Sequence, residues 1–422
     1  MLERMRELGM KPVLPGYCGM VPNSMAEKSV KGVSSADIID SGTWAGGYTR
    51  PDIIRPRTDS FNTIAEIYYE HLEKLMGVSE FYSMDPFHEG GVPVDKVSIE
   101  ECYKGVMEAL DVYYSTVSKK KRGHSGADDA KWIVQYWQGL PAASAFDIMD
   151  DSYSHRFIAL DLFADAQGKA KWNSDYFAGC DYIFCMLHNF GGRSGMHGRL
   201  ESTMNDYFKA LERGGGMCGV GATPEGIETN PILYDLLFEL PWLDPDNVPS
   251  IDTWLRDYAY ARYGVDDSAA VEALMMLKES VWGCPTDQQG TSEAVILARP
   301  SWSVDRVSSW STSNIYWDTQ KVLAAADRLI SIKEKVPATD GTANYSYDLI
   351  DVVRQSLVDL AYTLIKEIKH KRDAGDSAEY ERLYRLYLQL MLDIDELLSY
   401  DENFRLEKWT KMARDITDEV SG

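Results

Sequence analysis

Six short apolar runs recur along the first half of the chain, and polar or glycine-rich residues follow most of them. Their length and their content of β-branched and aromatic residues favour buried strands. Between them lie segments with helical spacing, such as Ser60–Met76 and Ser98–Ser118. Strands that alternate with helices predict an α/β domain with a parallel sheet. The six runs are Lys11–Gly16, Phe81–Asp85, Trp132–Trp137, Phe157–Phe163, Tyr182–Leu187 and Met217–Ala222.

Two α/β architectures fit this pattern. In a (β/α)8 barrel the active site lies at the carboxyl ends of the strands, where this chain places stretches such as DPFHEGG and HNFGG. Six runs are two fewer than such a barrel requires, so we expect an incomplete TIM-type barrel that lacks its first two strands. A doubly wound sheet remains the alternative, although no GxGxxG turn for a dinucleotide is present.

The pattern changes near Ser250, after which strand signals almost disappear. Apolar residues then recur at helical spacing, as in Leu349–Ile368. We therefore predict a catalytic barrel over residues 1–249 and an all-α helical domain over residues 250–422. The other helical segments are Ile315–Ile332, Tyr380–Leu398 and Asn403–Ile416.

Composition agrees with a soluble globular protein of two or three domains. Of the 422 residues, 45% are apolar and 26% are charged, and no run of about 18 apolar residues predicts a membrane span. A net charge of −23 repels phosphate backbones, which argues against nucleic acid as a partner. The six cysteines form no CxxC pair, so we expect neither a disulfide framework nor a zinc site.

Glu89 is a candidate catalytic carboxylate because it follows a predicted strand inside a turn. Pro86 ends the strand, and the two glycines after Glu89 allow the backbone to turn sharply. The neighbouring Phe87 gives the carboxyl group a partly apolar setting, which would raise its pKa as an acid catalyst requires. A structural carboxylate in a loop or at a helix cap is the alternative.

Glu225 occupies a similar place in the sequence GVGATPEG. A glycine-rich strand end allows a ligand to approach the backbone closely. The alternative is a helix start, with Thr223 as the N-cap, Pro224 at the first helical position and Glu225 in the first turn. Hydrolysis of a glycosidic bond needs two carboxyl groups, one on either side of that bond, and Glu89 and Glu225 are the candidates for this pair.

Aromatic residues cluster at the same predicted rim, and aromatic rings suit the C–H faces of a sugar. Core packing is the alternative for each of them. His88, His188 and His197 match no HExxH pattern, so a metal site is not expected, and the GxSxG signature of a serine nucleophile is absent. The aromatic residues are Tyr17, Trp44, Tyr136, Trp137 and Phe190.

With these motifs in place, the sequence resembles the α-N-acetylglucosaminidases, glycoside hydrolase family 89. The resemblance covers nearly the whole chain in order, and its CMLHNFGG and ATPEGIETNP stretches are long and unusual. The matching segments are Arg4–Pro22, Ser41–Tyr48, Asp85–Gly91, Trp132–Gly139, Leu160–Asp165, Phe184–Gly198, Gly219–Pro231, Leu240–Trp242, Tyr258–Gly264 and Ala298–Trp302.

The resemblance implies a retaining exo-glycosidase that removes terminal α-linked N-acetylglucosamine by double displacement. It implies Glu89 as the general acid/base and Glu225 as the nucleophile. It also implies that the expected partner is a glycan or small saccharide, with no cofactor and no metal. The residues implied to bind the sugar are Trp44, His88, Trp137, Asn189 and Phe190.

The family departs from this chain in extent. Its N-terminal domain and its first barrel strands, with YSFxWW-like and WSG-like segments, have no counterpart here, and its last helices extend beyond Glu407–Ile416. An inactive or partner-dependent fragment is therefore the alternative function, and a glycosidase for another sugar is a third. Family members are typically secreted, periplasmic or lysosomal. Met1–Met10 lack the apolar stretch of a signal peptide, and oligomeric state and compartment stay open.

Overall fold

The structure is a computed structural model of the chain. It describes residues 1–86, 95–121, 130–136, 155–166, 168–174, 177, 179–226, 228–288, 290–291, 295–297, 302, 314–338 and 340–421. These residues form two compact units. One consists of Met1–Ala164, Lys169–Met186 and Lys209–Gly221, and the other of Asp165–Gly168, Leu187–Phe208 and Ala222–Gly422.

A six-stranded sheet organises the first unit. All six predicted strands are confirmed, and they lie side by side in the order in which they follow one another along the chain. The first five pair in parallel, as predicted. A doubly wound sheet reverses its strand order at a switch point, and this sheet does not, which is the winding of a barrel. The strands are β1 (Val13–Pro15), β5 (Phe81–Ser83), β6 (Lys131–Tyr136), β7 (Phe157–Asp161), β8 (Asp181–Met186) and β9 (Met217–Ala222).

A second, three-stranded sheet lies between β1 and β5 in the sequence, and the apolar pattern does not predict it. Its central strand pairs antiparallel with both neighbours. Strands of two or three residues are too short to display a period of two, so this sheet leaves no signal in the sequence. The strands are β2 (Met20–Val21), β3 (Ile38–Ile39) and β4 (Asp52–Ile54).

Two predicted helices of the first unit are confirmed. Helix α2 begins after Thr58, whose hydroxyl accepts a hydrogen bond from the amide of Phe61 and so caps the helix. It ends at Gly77, which adopts a positive φ of 78°. Among the residues of this unit that the structure describes, the α-helices that begin there are α1 (Leu2–Glu7), α2 (Asp59–Met76) and α3 (Ile99–Lys121).

Aromatic packing against β6 forms part of the core of the first unit. Trp132 on β6 is fully buried and stacks on Tyr103 of α3 at 4.8 Å between ring centroids. Phe157 of β7 lies 5.1 Å from the same indole ring. Four of the six residues of β6 are buried, as expected for a parallel strand covered on both faces.

The chain beyond residue 222 is helical where the structure describes it, as predicted. Asp and Ser side chains cap several of these helices; Ser250, for example, accepts a hydrogen bond from the amide of Thr253. After α4 (Leu200–Arg213) come α5 (Pro231–Glu239), α6 (Ile251–Tyr263), α7 (Ser268–Lys278), α8 (Thr319–Ser331), α9 (Asp340–Asp373), α10 (Ser377–Ser399) and α11 (Leu406–Ser421).

Helices α9 and α10 pack through an apolar cluster that includes Ala361, Leu364, Leu383 and Leu390. These residues recur at the helical spacing on which the prediction of this region depended. The predicted boundary between residues 249 and 250 stays a prediction. Among the described residues, no helix combines the length and apolarity that crossing a membrane requires.

The aromatic packing of β6 can be tested by mutagenesis. We expect Trp132→Ala to lower the free energy of unfolding by about 3–5 kcal/mol, because the substitution leaves a cavity in a close-packed site. Urea denaturation followed by far-UV circular dichroism measures the change. Trp242→Ala is the matched control, since that indole is 86% exposed, and it should change stability by less than about 0.5 kcal/mol. Equal losses in both variants would contradict the assignment of Trp132 to the core.

Candidate active site

Two segments of the second unit carry three of the predicted site residues. The first, residues 188–197, follows β8, and the second, residues 223–230, follows β9. Strands β8 and β9 are hydrogen-bonded neighbours, so the two segments continue from adjacent strands. Polar residues at such strand ends are where an α/β domain places its reacting groups.

Glu225 is exposed and is held by two backbone hydrogen bonds to the 188–197 segment. Its own amide donates to the carbonyl oxygen of His188 at 3.2 Å. The amide of Gly191 donates to its Oε2 at 2.6 Å. The two bonds fix both the backbone and the carboxylate of Glu225, and among the described residues Oε1 accepts no hydrogen bond. One carboxylate oxygen is thus oriented by the protein while the other stays available to a ligand.

Asn189 joins the same two segments through its side chain. Its Nδ2 donates to the carbonyl oxygen of Gly226 at 3.2 Å and also to the hydroxyl of Thr229. The residue is 1% exposed and has a φ of 59°, a left-handed conformation that asparagine tolerates better than most residues. Within the described part of the chain its buried Oδ1 has no hydrogen-bond partner, and a buried acceptor of this kind calls for one.

Phe190 is half-buried beside Arg193. The guanidinium of Arg193 lies 5.8 Å from the centroid of the Phe190 ring, and its Nε donates to the Phe190 carbonyl oxygen at 2.7 Å. A second guanidinium nitrogen donates to the carbonyl oxygen of Thr291 at 3.1 Å. Arg193 therefore holds the backbone that presents Phe190.

The helix-start alternative for Glu225 is wrong. Residues 223–226 are not helical, and α5 begins only at Pro231. Proline does occupy the first position of that helix, as the rule for helix starts requires, but it is Pro231 and not Pro224. Glu225 is thus free of a capping role.

His188 and His197 are buried, and their rings stack at 5.9 Å between centroids. Burial, with a smaller contribution from the positive charge of Arg199, lowers the pKa of His188 to about 3. Burial likewise holds the pKa of His197 well below its ordinary value. Both rings are therefore neutral at pH 7. Among the described residues, no group of three or more His, Cys, Asp or Glu side chains is arranged to hold a metal ion.

The structure brings Asn189, Phe190 and Glu225 together within the second unit. Trp44 lies in the first unit, is 42% exposed, and donates its amide to the carbonyl oxygen of Tyr48. His88, Glu89 and Trp137 lie outside the described residues.

Tyr17 and Tyr136, which the sequence also suggested as rim residues, are buried. The ring of Tyr17 packs 5.0 Å from that of Phe61, and the ring of Tyr136 packs 5.6 Å from that of Phe177. Core packing, the alternative considered for each aromatic residue, describes these two tyrosines.

Sequence reasoning missed two contributors to the site. The amide of Gly191 binds the Glu225 carboxylate, and the side chain of Asn230 binds the ring of His188 at 3.0 Å. A backbone donor has no residue type, so only the glycine-rich character of HNFGG hints at the first. The second contributor, Asn230, immediately precedes the proline of α5 and has a left-handed φ of 49°. Its place before that proline is the one signal for it in the sequence.

Two family models match this chain. The model of the alpha-N-acetylglucosaminidase TIM-barrel domain matches residues 1–244, and the model of the C-terminal domain of the same family matches residues 254–421. The chain is 28% identical to human alpha-N-acetylglucosaminidase over 429 residues, which cover 98% of this chain and 53% of the human protein.

Solved structures are similar over the same extent. A family 89 glycoside hydrolase from Clostridium perfringens in complex with PUGNAc has a TM-score of 0.86 and 28% identity, and covers 97% of this chain and 44% of its own. A second structure shows the Clostridium perfringens enzyme with two glutamates replaced by glutamine, in complex with GlcNAc-alpha-1,4-galactose. It has the same TM-score and identity, and the match covers 98% of this chain and 44% of the Clostridium chain. The chain thus spans about half the length of the relatives it matches, and the predicted fold class is confirmed.

A further set of buried polar contacts ties the 188–197 segment to helix α9. The amide of Met196 donates to Oε1 of Gln355 at 3.0 Å, and Nε2 of Gln355 donates to Asp359 at 3.0 Å. The indole of Trp317 donates to the other oxygen of Asp359 at 2.9 Å. Burial raises the pKa of Asp359 to about 6, against an ordinary value of 3.8, although both hydrogen bonds favour the charged form.

This raised pKa predicts how stability depends on pH. Protonation of Asp359 contributes stability that is fully present below pH 3.8 and is lost as the pH rises through about 6. Relative to Asp359→Asn, the wild-type protein should therefore gain about 2 kcal/mol of unfolding free energy between pH 7.5 and pH 4.5. Urea titrations at several pH values measure the difference. Asp327→Asn, at an exposed position, is the control; an equal slope for both variants would refute the assignment.

Proposed function

The chain belongs to the alpha-N-acetylglucosaminidase family, glycoside hydrolase family 89, and on that premise we propose that it hydrolyses terminal α-linked N-acetylglucosamine from the non-reducing ends of glycans. The observation that carries the proposal is the exposed and oriented carboxylate of Glu225. Its carboxylate is exposed after a strand of the sheet, with one oxygen held by the Gly191 amide. Attack on a sugar requires a carboxylate that is oriented and still accessible.

The proposed mechanism is double displacement with retention of configuration. Oε1 of Glu225 attacks the anomeric carbon, and the bond from that carbon to the leaving oxygen breaks as Glu89 gives its proton to that oxygen. Water then attacks the same carbon while Glu89 takes a proton from that water, and the ester bond between the carbon and Glu225 breaks. The Gly191 amide keeps Oε2 in place, so that Oε1 is the attacking atom.

We also propose which residues bind the sugar. Asn189 supplies its buried Oδ1 as a hydrogen-bond acceptor, since its amide nitrogen is already used to hold Gly226 and Thr229. Phe190 supplies a ring face, stabilised in place by Arg193. The remaining proposed binding residues are Trp44, His88 and Trp137.

The proposal extends to domain organisation. Residues 1–249 are proposed as the catalytic barrel and residues 250–422 as the helical domain. The family models support this division, because one ends at residue 244 and the other begins at residue 254. No cofactor is invoked, since two carboxyl groups and water suffice for the reaction.

Substitution of the two glutamates tests the proposal. We expect Glu225→Ala and Glu89→Ala each to lower kcat on 4-nitrophenyl α-N-acetylglucosaminide by about 1,000-fold or more, because each removes a group that reacts. Azide should restore turnover differently in the two variants. It replaces the nucleophile in Glu225→Ala and yields the β-glycosyl azide, whereas in Glu89→Ala it attacks the glycosyl-enzyme and yields the α-glycosyl azide.

Glu402→Gln is the control, because that carboxylate is exposed on the helical part of the chain. A fluorinated glycosyl fluoride should label Glu225, as detected by mass spectrometry of peptides. Label on another residue, or near-normal turnover by Glu225→Ala, contradicts the nucleophile assignment and favours participation of the substrate's own acetamido group.

Two further outcomes concern the substrate and the chain itself. Faster release from an α-glucoside than from the α-N-acetylglucosaminide contradicts the sugar assignment. No release by the purified 422-residue chain contradicts its activity.

A further inference from the structure

Asn230 is a buried residue whose side chain is fully hydrogen-bonded. It is 1% exposed and immediately precedes helix α5. Its Nδ2 donates to Nε2 of His188 at 3.0 Å and to the carbonyl oxygen of Gly195 at 3.1 Å. Its Oδ1 accepts from the amide of His197 at 3.2 Å and from the indole of Trp282 at 3.1 Å. An amide group offers two donors and two acceptor sites, and all four are occupied.

The surroundings determine which way this amide points. A backbone N–H and an indole N–H can only donate, so they must face Oδ1 of Asn230. The carbonyl oxygen of Gly195 can only accept, so it must face Nδ2. His188 also lies on the Nδ2 side, and its Nε2 must therefore accept a hydrogen bond. The proton of the neutral His188 ring is thereby assigned to Nδ1.

His188 in turn belongs to the backbone that holds Glu225. Its carbonyl oxygen accepts the Glu225 amide at 3.2 Å. The next residue, Asn189, binds Gly226, and Gly191 binds the Glu225 carboxylate. The backbone of His188 thus holds Glu225, while its ring is buried and hydrogen-bonded to Asn230. Asn230 therefore sets the orientation of that ring.

We propose that Asn230 is a positioning residue for the reaction: its amide donors fix His188 as the Nδ1–H tautomer and clamp the 188–197 segment to the 223–230 segment, so that Glu225 is held for attack. Asn230 itself is buried, and none of its four hydrogen bonds goes to Glu225. The inference rests on the proposed function, in which Glu225 is the nucleophile. A displacement of about 1 Å in a reacting group can cost about 100-fold in rate, so such a clamp matters for turnover.

Asn230→Asp is the substitution that isolates the amide donors. Aspartate has nearly the same size, tolerates the left-handed φ of 49°, and keeps an acceptor for His197 and Trp282. It replaces Nδ2 by an oxygen that faces two acceptors, the Gly195 carbonyl and Nε2 of His188. The contact to His188 is restored only if Nε2 takes a proton, and the contact to Gly195 becomes repulsive.

Steady-state kinetics on 4-nitrophenyl α-N-acetylglucosaminide provide the first readout. We expect Asn230→Asp to lower kcat by about 100-fold while KM changes by less than about threefold, because the orientation of the nucleophile matters in the transition state far more than in the binding of the substrate. Asn247→Asp adds the same charge at an exposed position and should leave both constants unchanged. A kcat within about threefold of wild type in folded Asn230→Asp overturns the proposal.

Nitrogen-15 NMR of histidine-labelled protein provides a readout that a purely structural role would not move. The chain has seven histidines, and the signals of His188 are identified by their loss in His188→Gln. We expect the wild-type protein to carry the proton on Nδ1 and Asn230→Asp to carry one on Nε2. A protonated Nε2 in the wild-type protein overturns the proposal even if Asn230→Asp fails to fold.

The two readouts separate this inference from the proposed function. If the wild-type chain releases no N-acetylglucosamine, the proposed function fails, while the NMR spectrum still decides whether Asn230 sets the tautomer of His188. If the wild-type chain is active and Glu225 is labelled, but Asn230→Asp retains its kcat, the proposed function stands and the positioning role fails.

Discussion

The requirement that buried polar groups be hydrogen-bonded governs the candidate site. Apart from a single 3-10 turn at Phe190–Gly192, the described residues of the 188–197 and 223–230 segments lie in neither helix nor strand, so regular backbone pairing leaves most of their donors and acceptors unsatisfied. Side-chain amides satisfy several of them instead. Asn189 of the first segment donates to Gly226 and Thr229 of the second, and Asn230 of the second segment donates to His188 and Gly195 of the first. The position of Glu225 is a consequence of this arrangement, since its backbone and one carboxylate oxygen are bonded to the same segment.

Neutral histidines are part of the same constraint. A charged imidazole buried beside Arg199 would be costly, and burial accordingly lowers the pKa of both His188 and His197. A neutral ring has one donor and one acceptor nitrogen, so it can take a defined place in a hydrogen-bond network only if a neighbour selects its tautomer. Histidines that look like metal ligands in a sequence can thus be fixed elements of a polar core.

The parts of the fold that could be predicted are those with a repeating pattern. The strands of the large sheet are apolar runs because both faces are covered, and the long helices α9 and α10 show apolar residues at helical spacing. The small sheet of β2, β3 and β4 could not be predicted, because its strands are too short for a period and depend on pairing between distant residues. Tyr17 and Tyr136 could not be separated from rim aromatics, because burial leaves no mark on a single residue.

The residues of the site likewise divide into those that the sequence could predict and those that it could not. Glu225 could be nominated from its place after a glycine-rich strand, but the same residues also fit a helix start, and only the position of α5 decides between them. Gly191 and Asn230 act through a backbone amide and a buried amide side chain, which have no spacing rule that a sequence could reveal. The residues that react are thus easier to find in a sequence than the residues that hold them, because reactive groups are chosen by chemical type and supporting groups by geometry.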